Sequence, residues 1–353
     1  MPSLQASDEL QNSEQSENNG KSENTTPISL KNVIKESLIT QGNIGEIFRV
    51  IDKNTNHHYI SKTLYVHYQD YPKKSRINII KHLNKMKQLN FPAILKLYDF
   101  NTNGFDKETR QTILLEYLQH GSLEDILNSQ FSSLNNTKKH IIIYGIAKAF
   151  QYLHSHDILH HDLKPSSIMI DDNLYPKVGN IGFSNLFYSL KSMAKIKELS
   201  PYTAPEYITN GEYSKKSEVY AFGMIVYQII TNKKPFENFS QFEMLQRIVS
   251  HDLPTMDDSI PKVYRDLIEK CCAFDPNDRY NFEEICKELK DNDDFLVNLE
   301  NEDEFKQYIE LIEDFVEENK SFNQIFESDN SMIENKEINQ KKMKKKRRRK
   351  KKE

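Results

Sequence analysis

His160-His161-Asp162-Leu163-Lys164-Pro165, followed eighteen positions beyond its aspartate by Asn180-Ile181-Gly182, is the stretch that decides the fold. Upstream of it lie short strand-like runs, Ile44 to Ile51 and His58 to Leu64, separated by the turn-prone Asp52-Lys53-Asn54-Thr55-Asn56. Ser75 to Leu89 follows with Ile79, Leu83 and Met86 on one helical stripe, and Ile94 to Phe100 and Gln111 to Leu118 predict two more strands. Beyond Gly121 the apolar residues recur at helical spacing in 138–155, 217–231, 240–250, 262–273 and 281–290. The pattern predicts an α+β chain: a small sheet with one main helix, then a larger helical lobe.

Composition bounds the class. The 353 residues are 37% hydrophobic and 28% charged, a globular balance with some disordered sequence attached. No segment approaches eighteen uninterrupted apolar residues, so no membrane-spanning helix is expected. The N-terminus lacks a basic-then-apolar signal, Pro2 stands where myristoylation needs glycine, and no Cys box closes the C-terminus. These features predict an intracellular, soluble, cytoplasmic monomer. Cys271, Cys272 and Cys286 fit neither a disulfide framework nor a zinc site and are expected to be reduced core residues.

Residues 1–32, rich in Ser, Asn, Gln and Glu, cannot offset backbone ordering of about 1–2 kcal/mol per residue and read as a disordered leader. An acidic extension, 291–320, carries Phe305, Tyr308, Ile312 and Phe315 at helical spacing and predicts an amphipathic helix that packs back on its domain or binds a partner. Residues 321–353 read as a flexible tail. Residues 341–352 hold eleven Lys or Arg; with Glu353 that end carries +10, leaving −14 for the rest of a chain whose net charge is −4. The basic block reads as a nuclear-import signal for an importin, a nucleic-acid patch, a dock on anionic membrane, a partner of the acidic 291–320 segment, or a solvated tail. No aromatics interleave it, so sequence-specific RNA reading is not expected.

The ordered series of motifs from about Leu38 to Leu289 resembles the eukaryotic protein kinase family, and within it the Ser/Thr, tyrosine-kinase-like group. The resemblance implies a bilobal domain over 33–290, with an N-lobe at 33–117 and a C-lobe at 118–290. Ile39 to Ile47 resembles the glycine-rich loop, with Thr40 in place of its first glycine and Gly42 and Gly45 retained. Lys62, in Tyr59-Ile60-Ser61-Lys62, stands where the family's lysine meets the α- and β-phosphates. Ile60 lies on the same strand face, where the family usually has alanine over the adenine. Leu115 takes the gatekeeper place and Glu116 and Leu118 the hinge; with Ile47 and Met169 they complete the implied ATP site.

Asp162 and Lys164 correspond to the catalytic base and to the lysine that neutralises the transferring phosphoryl, in the pattern of Ser/Thr-directed members. His161 replaces the arginine that clamps a phosphorylated activation loop. The two metal positions are rewritten: Asn180 stands for the aspartate of D-F-G and Ser167 for the catalytic-loop asparagine, leaving Mg2+ or Mn2+ without its usual ligands. At ~10²-fold for each lost electrostatic group the pair costs ~10⁴-fold, about 5 kcal/mol. Counting back from Asn90-Phe91-Pro92 puts His82 at the place of the glutamate that pairs with the strand lysine, and no Asp or Glu lies between Asp70 and Asp99. Ala204-Pro205-Glu206, Arg279 and Ser217 to Gly223 match the family's structural motifs, and Met86, Leu97, Ile181 and His160 form its inter-lobe stack. The expected function is a pseudokinase that scaffolds a protein partner; the alternative is an active Ser/Thr kinase with a variant metal site, acting on a protein substrate.

Overall fold

The computed structural model describes residues 30–42, 45–102, 110–129, 134–183 and 199–317. The leader up to residue 29, Asn43 and Ile44 of the glycine-rich stretch, and the tail with its basic block at 341–352 lie outside the described residues.

Five antiparallel strands form the small lobe: β1 (Val33–Gln41), β2 (Gly45–Asp52), β3 (His58–His67), β4 (Leu97–Asn101) and β5 (Arg110–Glu116), in the order β1-β2-β3-β5-β4. Asp52 closes the β2–β3 turn, its carboxylate accepting from the Asn54 N–H at 2.7 Å while Asn56 takes a left-handed φ of 58°. The central position of β3 puts Lys62 between Ile47 and Ile113 on its two neighbours, and Ile60 beside Leu115. One helix, α1 (Lys73–Gln88), packs through buried Ile79, Leu83 and Met86. Lys73, Lys74 and Arg76 crowd its first turns, no acid lies there and no side chain caps it, an arrangement that opposes the helix dipole. Packing of the apolar stripe therefore has to hold this helix.

The strand expected from Ile94 begins only at Leu97. Backbone groups before it bond elsewhere: Val178 N–H donates to Ala93 O at 2.8 Å and Leu95 N–H to Val178 O at 3.0 Å. Those bonds belong to the large lobe's two-stranded sheet, β6 (Ile168–Ile170) and β7 (Pro176–Val178), and tie the lobes together.

The large lobe is helical: α2 (Leu123–Asn128), α3 (Asn136–Ser155), α4 (Pro205–Asn210), α5 (Lys215–Thr231), α6 (Gln241–Val249), α7 (Lys262–Cys271), α8 (Phe282–Asp291), α9 (Asp293–Leu296) and α10 (302–317). In α5 every residue from Ser217 to Ile229 is buried, the pattern of a helix enclosed on all sides. The rest of the lobe, α3 and α8 foremost, is built around the same core. The three cysteines are free and buried in it. Helix α10 lays Phe305 and Tyr308 against α3 and buries Ile312, with Phe305 edge-on to His140 at 4.5 Å and to Tyr144 at 5.3 Å. The two-lobed α+β architecture predicted from the sequence is the one observed.

Candidate active site

One buried carboxylate organises the loop of His160 to Pro165. Glu218, near the start of α5 and wholly enclosed, accepts from the backbone N–H of His160 at 2.5 Å and of His161 at 3.0 Å, and from the Tyr213 hydroxyl at 2.9 Å. Its other oxygen lies 2.7 Å from Nε2 of His154 in α3. Burial pushes this carboxyl up, but its interactions, the His154 hydrogen bond first and the His161 N–H after it, outweigh burial and hold it below the usual range. His161 takes a left-handed φ of 70° and stacks on Tyr213 at 4.7 Å.

His160 extends the loop inward. Its Nδ1 accepts from the Asp162 N–H at 3.2 Å, so Nε2 carries the proton and donates to Gly179 O at 2.7 Å. Gly182 N–H returns a bond to His160 O at 2.9 Å. Asp162 thereby projects from a loop fixed on both sides, with the Lys164 ammonium 3.1 Å from its carboxylate. Met86, Leu97, Ile181 and His160 are all buried.

From the other lobe comes Lys62, only 8% exposed. Its ammonium donates to Asn180 Oδ1 at 3.2 Å and lies 5.2 Å from the Phe183 ring centre. Among the described residues it forms no ion pair. Burial pushes its pKa down to about 8, against the pull of the Asp162 carboxylate. On α1 stands His82, whose Nε2 sits 2.9 Å from Ile181 O; burial lowers the pKa of this ring too.

The donor set at the metal positions is poor. Ser167 Oγ is engaged with the loop itself, donating to Lys164 O at 2.8 Å and accepting from Lys164 N–H at 3.2 Å. Asn180, at φ 57°, has given its single acceptor oxygen to an ammonium. Among the described residues no three His, Cys, Asp or Glu converge on a point that could hold an ion. At these two positions the chain offers an amide oxygen and a hydroxyl, and no carboxylate.

The nucleoside side fits better. Ile47, Ile60, Leu115 and Met169 supply apolar surface, Leu115 nearly enclosed and the other three half-buried. Glu116 N–H already donates to Lys96 O at 3.0 Å, and the Glu116 carboxylate pairs with Lys177 at 2.9 Å. Among the described residues no hydrogen bond engages the Leu118 backbone. Gly42 has room for a side chain, whereas a Cβ on Gly45 would fall 2.2 Å from Thr63 O. Close approach of β2 to β3 by itself requires glycine at 45.

Sequence patterns did not reveal His154, Tyr213 or Phe183, which carry no motif of their own. Glu206 and Arg279, matched by motif, meet in a two-armed pair at 2.9 and 3.0 Å, reinforced by Ser217 Oγ at 2.7 Å.

A family model for the protein kinase domain matches residues 33–289. A Dictyostelium discoideum protein described as a "Probable LIM domain-containing serine/threonine-protein kinase" is 31% identical over 189 residues, 53% of this chain and 20% of that protein. An Aurora kinase of Eremothecium gossypii is 31% identical over 199 residues, 56% of this chain and 53% of that protein. The chain thus spans about half or less of these relatives. No described helix is long and apolar enough to cross a membrane. With its two lobes, its catalytic loop hung on Glu218 and its Glu206–Arg279 pair, the chain belongs to the protein kinase family.

Proposed function

We propose that this kinase domain is a pseudokinase, a signalling scaffold or allosteric binding module that holds nucleotide weakly and transfers phosphate weakly or not at all. One observation carries the reading: the Lys62 ammonium rests on a neutral amide, Asn180 Oδ1 at 3.2 Å. Both groups that should meet the triphosphate and its cation are turned on each other. Neither Ser167, bonded to its own loop, nor any acid of α1 relieves that arrangement. Asp162 is fixed for proton acceptance, but without a dication the charge of the transferring phosphoryl is left to Lys62 and Lys164. In this reading the output of the domain is its surface, offered to a protein partner, and the basic block at 341–352 adds a salt-sensitive anionic attachment.

A second reading, an ATP-dependent Ser/Thr kinase of low activity, draws on the ordered Asp162–Lys164 pair at 3.1 Å. Incubation of the full chain with ATP and Mg2+ or Mn2+, beside an Asp162→Ala control, separates the two. Absence of turnover together with a metal-indifferent thermal shift by ATP supports the pseudokinase. Turnover that disappears only in the control defeats it.

A further inference from the structure

Residue 82 stands where the family's small-lobe helix sends a carboxylate to the strand lysine. A different bond occupies this place. His82 reaches from α1 across to the turn at 180–182, with Nε2 2.9 Å from Ile181 O. A carbonyl only accepts, so Nε2 bears the hydrogen and donates. The ring also lies flush against the next residue: a Cβ on Gly182 would fall 2.4 Å from its Cε1 and 2.8 Å from its Nε2. Gly182, at φ 69°, is doubly constrained to be glycine, by its backbone and by this ring.

The bond continues into the large lobe. Gly182 N–H donates to His160 O at 2.9 Å, and His160 Nε2 donates to Gly179 O at 2.7 Å. Met86, one helical turn beyond His82, is buried in the core that contains Ile181. Small-lobe helix, turn and catalytic loop are therefore joined by hydrogen bonds to backbone carbonyls, none of which involves Lys62.

We propose that His82 is a positioning residue, a latch that fixes α1 to the 180–182 turn in place of the lysine–carboxylate pair and does so independently of nucleotide and metal. The physical difference lies in what each device shares with the ligand. A lysine that pairs with a helix carboxylate also meets the phosphates, so helix position and nucleotide are coupled through one ammonium. Here the helix is held by an imidazole and a carbonyl that face each other, and Lys62 is left to Asn180. Filling or emptying the cleft changes neither partner of the latch. The proposal rests on the pseudokinase reading insofar as a constantly held helix surface suits a scaffold rather than a switch.

Amide hydrogen exchange on the full chain tests it. In the native protein, saturating ATP leaves exchange across 78–90 and 180–183 unchanged. His82→Ala raises exchange in those two segments about three- to tenfold, the loss of one half-buried hydrogen bond, while amides of α5 keep their protection. His82→Gln, which retains an N–H donor of similar reach, recovers most of the protection. His82→Glu sets a carboxylate against the Ile181 carbonyl and behaves like the alanine variant. Native-like protection in His82→Glu would mean that pairing with Lys62 suffices, and unchanged exchange in His82→Ala would mean that the bond holds nothing; either overturns the latch. A loss spread evenly over both lobes makes His82 an ordinary core residue and overturns it too. Phosphotransfer by the native chain, by contrast, defeats the pseudokinase reading and leaves these exchange results as they are.

Discussion

Lys62 and Asn180, 118 residues apart, meet at 3.2 Å and join the central strand of the small lobe to a turn of the large one that follows β7. The amide oxygen of Asn180 has no negative charge to share between an ammonium and a dication. An aspartate in its place would have two oxygens and a full charge, enough to serve both.

Restoring that charge is the direct test of what the substitution removed. Asn180→Asp combined with Ser167→Asn is expected to give ATP a thermal shift that depends on Mg2+, whereas the pseudokinase reading expects no such dependence in the native chain. Phosphotransfer should rise by about 10²-fold to 10⁴-fold, the scale of one to two preorganised electrostatic groups. A double variant as indifferent to metal as the native chain would place the defect elsewhere in the cleft.

Glu206 and Arg279 face each other with the guanidinium fully enclosed, and burial pressure on the carboxyl is overcome by the hydrogen bonds and charge of Arg279, which hold Glu206 below its ordinary range. Arg279→Met strands a buried carboxylate and should cost about 3–5 kcal/mol in urea unfolding, whereas the Glu206→Gln, Arg279→Met double variant should recover part of that loss. Strictly additive costs would show that the two side chains are not energetically coupled.

How much of this was legible beforehand differs between fold and site. The stripe of Ile79, Leu83 and Met86 and the closely apolar run of α5 are local periodicities, and such patterns survive in a sequence because burial imposes them residue by residue. β4 starts three residues later than its apolar pattern predicts, because Ala93 and Leu95 bond to Val178, a partner that no local pattern announces. In the site, the absence of acids between Asp70 and Asp99 was plain in the sequence. What meets Lys62 instead, and that His82 finds a carbonyl, depends on how two distant segments approach and has no sequence signal.

A pH dependence follows from His140, enclosed between α3, α7, α8 and α10. Its Nε2 donates to Leu289 O at 3.0 Å and its Nδ1 accepts from the Tyr264 hydroxyl at 2.9 Å; burial pushes its pKa down to about 4. The folded state therefore refuses a proton that the unfolded chain takes up near 6.5. The contribution is fully present above that value and is lost as pH falls from 6.5 through about 4. At the lower end the loss amounts to roughly 3 kcal/mol. His140→Gln should flatten this part of the stability–pH curve measured by urea unfolding, and a curve with the native slope would assign it to other groups.

Helix α10 offers two neighbouring side chains with opposite expectations. Phe305 and Tyr308 are both enclosed and both pack edge-on to Tyr144, at 5.3 and 6.4 Å. Phe305 is apolar throughout, so Phe305→Ala removes transfer energy and leaves a cavity, a loss of about 3–5 kcal/mol. Tyr308 carries a hydroxyl that meets no hydrogen-bond partner among the described residues and presses on Gly145, where a Cβ would fall 2.3 Å from it. Burying an unsatisfied hydroxyl costs about 1–3 kcal/mol, so Tyr308→Phe should leave stability unchanged or raise it by up to that amount. The same deletion should soften Gly145→Ala, because one of the two atoms nearest to the new methyl group disappears; the other, Pro176 Cγ at 2.5 Å, remains. Unfolding of the two single variants and the double variant decides the point. Destabilisation by Tyr308→Phe would mean that the hydroxyl is satisfied after all and that α10 is held by a polar contact as well as by its apolar face.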